Sequence, residues 1–415
     1  MREVGKQGKA KGFFKSIAPE LVSGASDNDP TNVGTAVAVG AQTGYQLAWL
    51  ALLVAPLLGV VQTIAAQVGT VAGNDLQTLT LRRYGRTVAA TLLTSVVVVN
   101  LVTIAADLQA GAAGIGLLVG VDSRWLVLPL GLALFGLLLL GGYGQVVGVL
   151  RYAMIGFLAF GVAAYLARPD WVSVLRSSVV PSLSFHGEVV AGGLALLGTT
   201  LTSYVYVWET ISRGVEDPPV HSGDPTRPRA GAVIGAVFTA LVLWFLLIAS
   251  AATLGRHHQQ VTTAQGAARA LRPLAGTHAS DLFALGLVVS AVVALPVLLA
   301  TTAYVAGAQF DWRRGLSERV TNARGFYGVL AASLGLALAV TLTNVSVVDM
   351  LVVASIIGGL GTPIGIVLLV LLARDRAVMS DSPISRPLAL AGWTVAVVVG
   401  GLGLAYVFGT LFGGT

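Results

Sequence analysis

Apolar residues run in blocks of about 20 along nearly the whole chain, separated by short clusters of arginine, glycine, proline and aspartate. A helix needs about that many apolar residues to cross the hydrocarbon core of a bilayer. The pattern predicts an all-α integral membrane protein of about eleven transmembrane helices. They are placed at roughly 17–42, 46–69, 87–112, 124–141, 146–167, 189–213, 229–253, 280–309, 326–342, 346–372 and 388–411. The period-two alternation of a membrane β-barrel does not occur.

Two of these blocks are interrupted by polar residues. In the first, Ser26-Asp27-Asn28-Asp29-Pro30-Thr31-Asn32 places two carboxylates, two amides and a proline inside apolar sequence. Proline lacks the N–H that a helix interior needs, so the helix is expected to break. An ionisable side chain at membrane depth costs several kcal/mol and usually marks an ion or substrate path. The alternative is that Asp27 and Asp29 cap a helix above the membrane. In the sixth, Gly198-Thr199-Thr200-Leu201-Thr202-Ser203-Tyr204 interrupts the apolar run with small hydroxyl residues, although such hydroxyls often bond back to their own helix. The interrupted spans each open a set of five. Paired interruptions at corresponding positions point to the binding site of an inverted-repeat transporter. The division expected is a tail at 1–16, a first repeat at 17–167, a linker at 168–188, a second repeat at 189–372, and a loop with an eleventh helix at 373–415.

Composition agrees: 55% of residues are hydrophobic and 11% charged, against about 25% charged in soluble domains. The absence of cysteine rules out disulfides, thiolate metal sites and cysteine nucleophiles. The net charge of +6 sits in loops, so it reads as a topology signal and not as a nucleic-acid surface. All four lysines fall in the N-terminal tail, beside an anionic leaflet. Arg82, Arg83 and Arg86, Arg213, Arg227 and Arg229, Arg313, Arg314, Arg319 and Arg324, and Arg374, Arg376 and Arg386 lie on the same side as that tail. That roughly threefold excess predicts a cytoplasmic N-terminus and, with an odd number of spans, an outside C-terminus in a plasma (inner) membrane protein. The basic leader meets the broken segment and no cleavage site, so no signal peptide is expected.

The motifs resemble the Nramp family of divalent-metal transporters. Its first-helix signature Asp-Pro-Gly-Asn reads here Asp29-Pro30-Thr31-Asn32. Gly44-Tyr45, the run Gln62, Ala65, Ala66, Gly69, Ala72, Gly73, and Ala106-Asp107-Leu108 resemble its second and third helices. Ala284 to Pro296 and Phe310-Asp311-Trp312-Arg313 resemble a related subgroup in the eighth. The resemblance implies the LeuT-type fold, two inverted five-helix repeats plus one helix. It also marks departures. The family's Met-Pro-His at the sixth-helix break is Thr202, Ser203 and Tyr204 here, and a glutamate after the third-helix aspartate is Ala110. A thioether favours soft metals, whereas a hydroxyl suits harder ions.

The expected cation ligands are therefore Asp29, Asn32, Thr202 and the region of Ser26 and Thr199, where exposed carbonyls would complete an oxygen shell. For each side chain the competing role is hydrogen bonding within the break. Asp107, the acid inside the third span, is the expected proton relay. Asp27 is a further acid beside Asp29 that would couple proton uptake to cation release. Glu209 is either a step in the inner aqueous path or half of an ion pair with Arg213. Gln62, Ser203 and Tyr204 are candidates for gating or support. Asn100 reads as helix–helix glue. The five histidines, His186, His221, His257, His258 and His278, fall in predicted loops. Asp349 is expected to cap the tenth span, and Gly358 to Pro363 to unwind it.

The chemistry thus points to a secondary transporter of Mn2+ or a harder divalent ion such as Mg2+, with protons as coupling ion and no resident cofactor. Its partners would be the cation and membrane lipid; nothing in the chain indicates an oligomeric state. Two other readings are a Na+- or H+-coupled carrier of a small organic solute and a membrane sensor. No nucleotide-binding, nucleophile-elbow or metal-hydrolase motif occurs, so no enzyme is expected.

Overall fold

The computed structural model describes residues 26–182, 187–216, 227–255, 277–341 and 347–412, and among these every regular element is helical. The helices are α1 (Pro30–Thr43), α2 (Ala48–Ala72), α3 (Leu76–Val119), α4 (Arg124–Leu140) and α5 (Tyr143–Leu166). They continue as α6 (Trp171–Val179), α7 (Gly187–Thr200), α8 (Ser203–Ile211), α9 (Arg227–Thr253), α10 (Thr277–Gln309), α11 (Arg324–Thr341), α12 (Val347–Arg374), α13 (Arg376–Met379) and α14 (Arg386–Phe412). Each of the eleven expected spans coincides with a helix or, for the sixth, a helix pair. Among the described residues nine segments are long and apolar enough to cross a membrane, α7 and α8 counting together; α4, with 17 residues, falls just short. The start of the first span lies outside the described residues.

Three expectations are corrected. The third span does not begin at residue 87. Helical backbone starts at Leu76, capped by the Asp75 side chain, and turns at Gly85, whose φ of 83° is open only to a residue without a Cβ at low cost. The arginines read as a loop therefore flank a helical kink. The stretch Gly358–Pro363 stays helical. Pro363 removes only one backbone donor, and side chains of neighbouring helices tie the stretch in place: Tyr206 Oη donates to Thr362 O at 2.9 Å and Ser95 Oγ to Gly361 O at 3.0 Å. Gly358 and Gly359 serve contact instead, because each lies against the backbone of Gly198. Finally, His278 belongs to the first turn of α10 and not to a loop. The other four histidines lie outside the described residues. Asp349 falls in the first turn of α12. The linker expected at 168–188 contains α6, capped by the Asp170 side chain.

The centre of the bundle is α3 packed along α10, with α2 and α1 against α9 and α12 against α3 and α14. In a membrane, helices associate through close packing of small residues. Gly111 of α3 faces Ala291 of α10, and Gly114 faces the Ala284 carbonyl, so any added methyl would collide there. Asn100, between the same helices, donates to Thr302 Oγ1 at 3.0 Å, the expected glue.

Candidate functional site

Both interruptions are real breaks, and they meet. Residues 27–29 are non-helical, and α1 begins at Pro30. Across from them, α7 stops at Thr200 and α8 starts at Ser203, with Thr202 extended at φ −66° and ψ 145°. Every residue from Ser26 to Asn32 is buried, as are Thr199 to Glu209.

The first turn of a helix presents N–H groups without intrahelical partners. In α1 two carboxylates take them. Asp29 Oδ1 accepts from Asn32 N at 2.6 Å. Asp107, from α3, accepts from Thr31 N at 3.0 Å and from Thr31 Oγ1 at 2.8 Å through the same oxygen. The positive end of the helix dipole faces both carboxyl groups and favours their charged forms. Asp29 is thus a cap, as the alternative reading had it, but a cap at the centre of the protein.

The amide of Asn32 is fixed in orientation: Nδ2 donates to Asp27 O at 2.7 Å, and Oδ1 faces the hydroxyls of Thr199 at 3.1 Å and Thr200 at 3.2 Å. Both hydroxyls have shorter bonds to their own helix, to Ala195 O and Leu196 O, which is the common habit of threonine in such helices. Tyr204 Oη lies 2.5 Å from Ser26 O and 3.0 Å from Asp29 Oδ2. Thr202 Oγ1 approaches Asp27 Oδ1 at 3.4 Å.

The structure therefore gathers Ser26, Asp27, Asp29, Asn32, Thr199, Thr202 and Tyr204 at one place, with Asp107 joined to it through Thr31. Asp27 Oδ2, Asp107 Oδ2, Ser203 Oγ, both amide atoms of Asn28 and both of Gln62 are buried without a hydrogen-bond partner. Glu209 stands farther along α8 and is buried, paired with Arg213 Nε at 3.4 Å. Sequence reasoning missed Asn28, Thr200 and the Thr31–Asp107 bond. Asn28 lies in the same polar run, so its residue type was a usable signal. Among the described residues no three His, Asp or Glu side chains converge closely enough to hold a metal by themselves. A cation here would need carbonyl, amide and hydroxyl oxygens as well as carboxylate.

A family model described as natural resistance-associated macrophage protein-like, Nramp, matches residues 20–409. The chain belongs to the Nramp family. Relatives include a divalent metal cation transporter MntH of Aeromonas hydrophila, 25% identical over 395 residues that cover 92% of this chain and 93% of the relative. Another MntH, from Deinococcus radiodurans, is 27% identical and covers 96% of this chain and 90% of the relative. The fold is similar to that of a manganese transporter from Eremococcus coleocola, with a TM-score of 0.75 and 18% identity over 98% of this chain and 89% of that one. It is similar also to Mhp1, a nucleobase-cation-symport-1 family transporter, at a TM-score of 0.61 and 13% identity over 95% and 94%. As an Nramp protein with the LeuT-type fold, the chain is a multi-pass membrane transporter and not an enzyme.

Proposed function

We propose that this Nramp protein carries a hard divalent cation, Mn2+ or Mg2+, into the cytoplasm by alternating access, with protons as coupling ion. Its relatives are named divalent metal cation transporters. The observation that carries the reading is the buried oxygen cluster where the two breaks meet. Ser26 O and Asp29 Oδ2 already share one small donor, the Tyr204 hydroxyl. A cation would take the place of that donor, with Asn32 Oδ1, Thr199 and Thr202 as further oxygens. All these donors are oxygens, which suits Mg2+ or Mn2+ better than soft ions. Asp107 is the proton relay, linked to the site by Thr31, and Glu209 lies on the inner aqueous route. Gln62 and Ser203 support the site.

The fold alone would equally suit an organic solute. Two buried carboxylates argue for a cation, since among the described residues no buried arginine, lysine or histidine stands ready for an anionic group. The N-terminus is taken as cytoplasmic from the arginine bias. The repeats run over 17–167 and 189–372. Uptake of Mn2+ and Mg2+ into proteoliposomes tests the reading: Asp29→Ala is expected to abolish it. Uptake that Asp29→Ala leaves intact, or thermal stabilisation by organic acids and not by metals, would overturn it.

A further inference from the structure

The polar groups at the break divide into two sets. Those around Asp29 are engaged: both of its oxygens, the Asn32 amide and the Ser26 carbonyl accept or donate at 2.5–3.2 Å. Those around Asp27 are not. Asp27 is fully buried, with Oδ2 unpartnered. Its neighbour Asn28 is equally buried, and neither amide atom has a partner. On the facing break Ser203 is 1% exposed with Oγ unpartnered. Thr202 ties the two breaks together here, through a contact with Asp27 Oδ1 at 3.4 Å that is longer than an ordinary O–H···O bond. Buried polar groups in native proteins find partners, so unmet polar atoms on both breaks, on either side of the Thr202–Asp27 contact, mark a place for a ligand.

We propose that Asp27, Asn28, Thr202 and Ser203 form a second resting position for the cation, next to the one at Asp29. The inference rests on the reading of the break as a cation path. The donors offered are a carboxylate oxygen, an amide oxygen and two hydroxyls. Such a set takes a hard divalent ion that keeps part of its water, the binding mode of Mg2+ with one or two carboxylates. Two divalent ions a few ångströms apart would repel strongly, so the positions are filled in turn and one ion is bound at a time. Asp27 is then a direct contact for the ion, and the ion moves between two neighbouring carboxylates.

Titration of the full-length protein in lipid nanodiscs with Mg2+ and Mn2+, by calorimetry and thermal unfolding, tests this. The unmodified protein is expected to bind one ion. Asp27→Asn is expected to weaken Mg2+ by about twofold or more, Asp29→Asn to leave a measurable Mg2+ affinity, and the double variant to bind none. Ser203→Ala keeps both carboxylates and carries the test should Asp27→Asn fail to fold; it is expected to weaken Mg2+ severalfold. Unchanged affinity in Asp27→Asn, or in Ser203→Ala, overturns the second position, as does loss of all binding in Asp29→Asn alone. Absence of divalent binding in the unmodified protein overturns the proposed function itself, and is seen before any variant is made.

Discussion

Tyr204 reaches across from the sixth-span break to the first, and its hydroxyl stands 3.0 Å from Asp29 Oδ2. The same oxygen is 2.5 Å from the Ser26 carbonyl. One proton thus serves two acceptors that are also the leading candidates to bind the cation. On the proposed reading, the Tyr204 hydroxyl occupies the place that the cation would take. Tyr204→Phe keeps the ring packing and removes the donor. Leaving the buried acceptors unpaired costs about 1–3 kcal/mol, so thermal unfolding without metal is expected at lower temperature. The same loss is no longer charged against binding, and Mn2+ affinity is expected to rise by about 5- to 150-fold.

The bond between Thr31 and Asp107 spans 76 positions of sequence and joins the start of α1 to the middle of α3. Asp107→Asn preserves size and an oxygen that can still accept from Thr31 N. Cation binding is expected to stay within about threefold of the original, well under the tenfold step of 1.4 kcal/mol. Uptake into proteoliposomes is expected to lose its dependence on external pH. Unchanged pH dependence would remove Asp107 from the proton route.

At the other end of α8 two contacts fix the helix to its surroundings. Thr210 Oγ1 accepts from Leu76 N at 3.0 Å, and Glu216 Oε1 accepts from Leu316 N at 3.1 Å. Each side chain supplies an N–H at the start of α3 or in the loop after α10 with a partner. Breaking either is expected to favour opening toward the α2–α3 turn. The protein has no native cysteine, so a single Ser203→Cys reports access to the buried break. Thr210→Val and Glu216→Ala are expected to raise its labelling by a membrane-impermeant thiol reagent applied from the cytoplasmic side.

The parts of the site visible in the sequence are those whose signal is local. A proline and two acids in an apolar run foretold the break at Asp27–Asp29, and the cluster of small hydroxyl residues foretold the one at Leu201–Thr202. Asp107 stood out for the same reason, as a charge where charge is costly. What the sequence hid are pairings between distant residues. Tyr204 meets Asp29 across 175 positions, and no periodicity announces such a contact. Gly358–Pro363 misled for a related reason. Glycine and proline weaken a helix locally, but this stretch is packed against Gly198 and bonded to Tyr206 and Ser95 from two other helices, contacts that no local pattern announces.

Gly214 offers a test of how closely the far end of α8 must pack. It lies in the π-helical turn Ser212–Glu216, and a Cβ there would come within 2.7 Å of the Asn74 backbone in the α2–α3 turn. Backbone cannot rotate away as a side chain can, so Gly214→Ala must push the turn and α8 apart. Overpacking of this kind costs about 1–3 kcal/mol. The displaced turn is the one that carries Leu76 N and Asp75, and Asp75 is joined to Arg314 at 3.0 Å. The strain therefore falls on the contacts that fix this end of α8 to the α2–α3 turn. Gly214→Ala is expected to lower thermal stability and to raise Ser203→Cys labelling further than Thr210→Val does. Gly69→Ala, whose methyl would meet Thr210 and Arg213 at 3.0 Å, is expected to act in the same direction but less strongly. Equal labelling in the parent and in Gly214→Ala would show that this packing does not hold the gate.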